Sequence, residues 1–182
     1  MSTETNAPLS ALAGRADGPT ADQIWAALAP GERQDALTQY LAGDRSGRES
    51  LVAVVATLPS LRAFRKVTIA QFTDGKLIEL VARAGKLPPG LTHDFLLALH
   101  LRGRSPMLES FLDLLGIPHT GGVIADGASI PAAVQANRLA TAASTLVERY
   151  PRRAVSIYLL TLLAMDPGSW AGLRHVVPDV GE

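Results

Sequence analysis

Apolar residues recur along this chain at three- and four-residue spacings, fenced at intervals of roughly ten to fourteen residues by glycine, proline or a capping side chain. The stretch SPMLESFLDLLGIPH, Ser105 to His119, states the pattern most fully. Ser105 suits a helix cap, and Pro106 fits the first helical position, where a missing N–H costs nothing. Met107, Leu108, Phe111, Leu112, Leu114 and Leu115 recur at helical spacing, while Glu109 and Asp113 mark a wet face. Gly116 can supply a left-handed C-terminal residue, and Pro118 forbids continuation.

The same grammar predicts further helices on both sides. Thr20 opens the first, with Gln23 three residues on as its capping-box partner and Ile24, Trp25 and Leu28 as the apolar face. Pro30 starts a second, burying Ala36, Leu37, Tyr40 and Leu41 and stopped by Gly43; a polar link follows from Asp44 to Gly47. Leu51, Val52, Val54, Val55 and Leu58 form a third element. A short Val-rich run also suits a strand, but no partner strand is visible elsewhere, so helix is expected. Pro59 and Ser60 introduce a fourth helix through Leu61, Phe64, Val67 and Phe72. Thr73 caps a fifth, carrying Leu77, Ile78, Leu80, Val81 and Ala84, with Gly85 as terminator.

After the proline-stiffened link KLPPG (Lys86–Gly90), Thr92 caps a sixth helix whose Phe95, Leu96, Leu99 and His100 face inward, ending at Gly103. The Ser105 helix is the seventh. The longest gap, Ile117 to Gly127, holds Gly121 and Gly122 side by side and reads as a flexible connection. An Ala-rich eighth helix runs from Ser129 to about Tyr150, carrying Val134, Leu139, Leu146 and Val147, and Pro151 breaks it. Ala154 to Met165 is apolar almost all round, as a helix at the centre of a bundle must be. Pro167 precedes a short amphipathic end around Trp170 and Leu173. The expected fold is therefore all-α: an irregular, orthogonal bundle of about nine short helices around a central apolar one. It forms a single domain over residues 20–175, with an unstructured tail at 1–19 and a flexible end at 176–182. DPGSW invites a tetratricopeptide reading, but Pro167 and Trp170 stand only three apart and no period recurs.

Composition narrows the classes. The 182 residues are 47% apolar, 19% charged and 5% aromatic, so Leu, Ala and Val carry the burial. There are no cysteines, which excludes disulfides, thiolate metal sites and thiol nucleophiles. MSTETNAPLSALAGRADGP has neither a positive n-region nor a sustained apolar core, and nowhere do about 18 apolar residues run together. No membrane partner and a cytoplasmic location are the expectations. Net charge is zero but uneven: residues 1–44 hold two basic and six acidic side chains, residues 45–104 ten and four, and residues 105–182 five and seven.

That basic middle third contains the candidate binding residues. Arg62 with Arg65 or Lys66 shares a helix face, and Arg102 with Arg104 clusters at a helix end, where cations suit the macrodipole. A phosphate- or acid-binding surface, nucleic acid included, is one reading. Against it, Phe64, Phe72 and Phe95 all fall on expected core faces, leaving no exposed aromatics among the cations, and no recognition motif is present. His93 and His100, two turns apart on one helix, with His119 beyond the next, invite a metal site. Imidazoles so spaced lie about 10 Å apart, however, and the four-residue spacing of a helical metal pair is missing. No metal and no cofactor are expected. HTGGVIADG lacks the Lys-Ser/Thr of a phosphate loop, and no serine elbow or buried carboxylate pair is written anywhere. Trp25 and Trp170 suit either a partner surface or a core edge. The favoured reading is a non-enzymatic module that binds another protein through a helix-lined groove. Its alternatives are a nucleic-acid or phospholigand binder using residues 62–104, and an enzyme with a small-molecule pocket near the 117–127 loop, His100 and His119.

Overall fold

The computed structural model describes residues 9–15, 17–43, 45–61, 63–84, 87–125, 130 and 136–178. In chain order its helices are α1 (Leu9–Ala13), α2 (Ala21–Ala27), α3 (Pro30–Leu41), α4 (Arg45–Thr57), α5 (Lys66–Ile69), α6 (Asp74–Ala82), α7 (Leu91–Leu101), α8 (Ser105–Leu115), α9 (Ala136–Arg149) and α10 (Arg152–Met165). Two 3-10 turns, Pro59–Leu61 and Ala171–His175, and the strands β1 (His119–Thr120) and β2 (Val123–Ile124) complete it. The protein is an all-α multi-helix fold. Among the described residues, no helix is long and apolar enough to cross a membrane.

Two compact units emerge, one formed by Leu28–Gly103 and one by the flanking chain, Met1–Ala27 with Arg104–Glu182. In the flanking unit α10 is the hub, packing against α1, α2, α9 and the Ala171–His175 turn. Val155, Ile157, Leu159, Leu160 and Leu163 are fully buried on it, along with Ser156 and Thr161. The two hydroxyls are satisfied locally: Thr161 Oγ1 donates to the Ile157 carbonyl at 2.8 Å, and Ser156 Oγ lies 2.9 Å from the Pro178 carbonyl. Phe111 of α8 meets Tyr158 edge-on at 5.6 Å and Trp170 at 6.0 Å. Burial pushes the Tyr158 hydroxyl above its ordinary pKa. Trp25 and Trp170 are both buried, so they are core and not partner anchors.

In the Leu28–Gly103 unit, α3 packs against α7, α6 and α4, and α4 packs in turn against α5 and α6. Tyr40 meets Phe95 edge-on at 4.9 Å, and Leu37, Leu51, Val55, Ile69, Leu77, Val81, Phe95 and Leu96 are fully buried.

Several helix ends follow the sequence closely. The Thr20–Gln23 box is reciprocal, with the Thr20 N–H donating to Gln23 Oε1 at 3.0 Å and the Gln23 N–H to Thr20 Oγ1 at 3.3 Å. Thr73 Oγ1 accepts from the Lys76 N–H. At the end of α8, Ile117 N–H bonds to the Leu112 carbonyl and Gly116 N–H to the Asp113 carbonyl, the paired bonds of a Schellman ending, with Ile117 and Leu112 both buried.

Other expectations are corrected. Within the tail expected to be unstructured over 1–19, Leu9–Ala13 forms α1, because Leu9, Leu12 and Ala13 bury against the flanking unit's core; residues 1–8 and 16 lie outside the described residues. The link expected at Asp44–Gly47 is largely helix, since α4 begins at Arg45. The helix expected from Pro59 to Phe72 splits into a 3-10 turn and the short α5. Among its described residues only Ile69 is fully buried, while Phe64 is 48% and Val67 72% exposed. Neither Thr92 nor Ser105 is a cap: the caps are Gly90, two residues earlier, and Arg104, one residue earlier, and Thr92 is buried. Leu114 is on the exposed side of α8. Finally, the Gly121–Gly122 gap is a β-hairpin, β1 pairing antiparallel with β2. Both glycines have positive φ, 57° and 81°, the mirror-image turn that matches strand twist and that side chains resist. A Cβ on Gly122 would also stand 2.8 Å from that of Leu108, so the hairpin lies tight on α8. Gly85, Lys86, Gly127, Ser129 and Val134 lie outside the described residues.

Candidate functional site

The arginines sort by what they touch. Four donate to carbonyls at or next to the C-terminal end of a neighbouring helix, where partial negative charge accumulates and backbone acceptors lack intrahelical partners. Arg33 Nη1 reaches the Ala82 carbonyl closing α6 at 3.3 Å, and Arg102 Nη1 reaches Gln39 near the end of α3 at 3.3 Å. Arg138 Nη2 reaches Leu115 closing α8 at 3.1 Å, and Arg153 Nη2 reaches Ala27 closing α2 at 3.0 Å. Burial lowers the Arg33 pKa from its ordinary value, the cost of placing that guanidinium between helices. Arg48 goes further. From α4 it bonds the Ala70 carbonyl with both terminal nitrogens at 3.2 Å, the Phe72 carbonyl at 2.7 Å, and Asp74 Oδ1 through Nε at 2.9 Å. It staples the α5–α6 connection onto α4.

The expected basic surface is accordingly divided. Arg102 lies along α3, against Gly43, where an added Cβ would meet its guanidinium at 2.5 Å. Arg104 is half-buried and belongs to the flanking unit. Arg62 lies outside the described residues. Lys76 and Arg83 both pair with Glu79, at 3.1 and 2.9 Å, and hold its carboxyl below the usual range, the Lys76 hydrogen bond first. Arg65 and Lys66 remain, side by side, exposed, and without an acidic partner among the described residues. Their neighbours Phe64 and Val67 are exposed too. The absence of exposed aromatics, counted against a charged partner at this region, is thereby overturned.

The candidate histidines are shared between the two units. His100 is buried in α7 of the Leu28–Gly103 unit, whereas His119 opens the hairpin of the flanking unit. His119 latches that hairpin: Nε2 lies 3.1 Å from Asp113 Oδ1, and Nδ1 accepts from the Gly122 N–H at 3.4 Å. Both ring nitrogens are engaged by the one neutral tautomer that donates from Nε2. Among the described residues, no group of three metal-ligating side chains is placed to hold an ion.

The feature that sequence reasoning missed is a cleft of about 620 Å³ in the Leu28–Gly103 unit. One wall is a stripe of α4, Ser50, Ala53, Val54 and Thr57, at the i, i+3, i+4, i+7 positions of one helix face. The other is Pro88, Pro89, Gly90 and Leu91 with His93 and Asp94 in the first turn of α7. Its walls differ in kind. The α4 stripe is small-sided, so a visiting chain can approach the helix closely. The facing shoulder is stiff, because two prolines fix their own φ and Gly90 turns the chain into α7 with φ 84°. Asp94 is accounted for by the positive end of α7, and His93 is the cleft's one imidazole. The two prolines of KLPPG and the small residues of α4 were the available signals. Each is ordinary alone, and only the fold sets them face to face.

No family model matches this chain, and neither a curated protein nor a solved structure was found to be similar to it.

Proposed function

We propose that this protein is a non-enzymatic interaction module that takes an apolar segment of another protein into the cleft between α4 and the start of α7. The observation that carries the reading is the pairing of a small-sided helix face with a rigid proline wall across about 620 Å³. Such a groove suits the i, i+3, i+4 side chains of an amphipathic helix, or alternate side chains of an extended strand. A wall that is already stiff loses little freedom on binding, which favours affinity from a small contact area. Ser50, Thr57, His93 and Asp94 give the groove polar edges that can orient the visiting backbone.

The test is selection of a random peptide display library against the full chain, followed by fluorescence anisotropy with the enriched peptide. The reading expects enrichment of segments with apolar residues at helical or alternating spacing. It also expects Ala53→Arg, which fills the cleft from an exposed position, to weaken binding by about tenfold or more. Enrichment of no segment, or binding indifferent to Ala53→Arg, overturns it.

A further inference from the structure

Six consecutive residues, Ala63 to Thr68, are exposed, an unusual run in a chain so rich in apolar residues. The residues that follow it are tied down. Ile69 buries completely, Phe72 takes the ring of Phe64 edge-on at 6.4 Å, and Arg48 holds the Ala70 and Phe72 carbonyls. What the run exposes is chemically mixed. Phe64 and Val67, three apart, are 48% and 72% exposed, and between them stand Arg65 and Lys66. Asp74, a nearby acid in sequence, is already occupied by Arg48.

We infer that this segment docks on an anionic lipid surface, with Phe64 and Val67 entering the headgroup boundary and Arg65 and Lys66 meeting lipid phosphates and carboxylates. The charges and the apolar groups are complementary to that interface together, since cations flanking apolar side chains are what an anionic bilayer boundary retains. A single-stranded nucleic acid fits less well. It needs successive aromatic platforms along a cationic groove, and here one ring is exposed and its neighbour Val67 cannot stack a base. The contact is peripheral and salt-sensitive, because two cations and two apolar side chains give a shallow attachment.

Co-sedimentation of the full chain with vesicles tests it, using phosphatidylcholine alone and phosphatidylcholine mixed with phosphatidylserine. Binding is expected only to the mixed vesicles and is lost at high salt. Each of Arg65→Ala and Lys66→Ala weakens it by about fivefold. Phe64→Ser with Val67→Ser weakens it by about tenfold. All four side chains are exposed, so circular dichroism of each variant should match the parent. Three results overturn the inference: equal binding to both vesicle types, binding unchanged in these variants, or no sedimentation with either. Binding to a single-stranded oligonucleotide that is tighter than to mixed vesicles, and lost in the same variants, also overturns it, assigning the surface to nucleic acid.

Discussion

The cleft and the 63–68 segment belong to one compact unit and are tied to the same helix, yet they are opposite kinds of surface. Across the cleft, α4 presents Ser50, Ala53, Val54 and Thr57 to a proline shoulder, a concave and weakly charged space. From that helix Arg48 holds the turn after α5, and the segment just before it is exposed and bears two cations and two apolar side chains. The contrast shows that exposed apolar surface does not by itself name a partner. In a groove it accepts a chain that brings its own apolar side chains. Exposed beside cations, on the docking proposed above, it suits something broad, yielding and negative.

Four substitutions test how far the two surfaces depend on one another. Ile69→Ala should have the largest effect, about 2–5 kcal/mol of stability lost in denaturant titration, because a fully buried branched side chain is replaced by a cavity. Arg48→Met should cost about 2 kcal/mol, since three charge-assisted bonds to carbonyls and one ion pair are lost at a half-exposed site. Proteolysis of this variant should speed up at 63–72 before it does at 88–94. If both stretches are cut together, the staple supports the whole unit and the two surfaces are not separable.

The smaller effects concern charge and exposure. Glu79 is held below the usual carboxylate range by Lys76 and then Arg83. Its stabilising contribution is thus present above the unfolded-state pKa and is lost as pH falls through the lower folded-state value. Thermal melts across that acid range should show a component in the parent that is missing in Glu79→Gln, and an identical pH profile in both would contradict the pairing. Phe64→Ser should be the mildest, within about ±0.5 kcal/mol, because nearly half of the ring already faces water. A larger loss would mean that the Phe64–Phe72 contact supports the unit, and that the exposed ring is part of its core.

How much was readable follows from how local each signal was. Thr20 and Gln23 sit three apart and bond each other, and Gly116 ends α8 through two bonds within six residues, so both were legible. The Ala154–Met165 run carried its own evidence of centrality. Phe64 and Val67 misled because their spacing is that of a buried face, whereas the chain there turns too tightly to extend a helix and Ile69 takes the interior position. Gly121 and Gly122 mark a break in the sequence without revealing the hairpin, since strands of two residues are too short to show alternation. Sequence shows the arginines only as a field of charge, whereas the role of each depends on which helix end it meets. That is a tertiary fact, visible only once Arg33 stands beside Ala82 and Arg48 beside Phe72. The cleft was hidden for the same reason, its walls lying some thirty residues apart in sequence.

The most direct trial is a two-dimensional NMR titration of the isotope-labelled full chain with the selected apolar peptide. Amide shifts are expected to concentrate at Ser50–Thr57 and Leu91–Asp94, leaving Phe64 to Thr68 still. Shifts gathered at 63–68, or spread over the flanking unit with α4 and α7 unmoved, would contradict the cleft as the place where a partner is held.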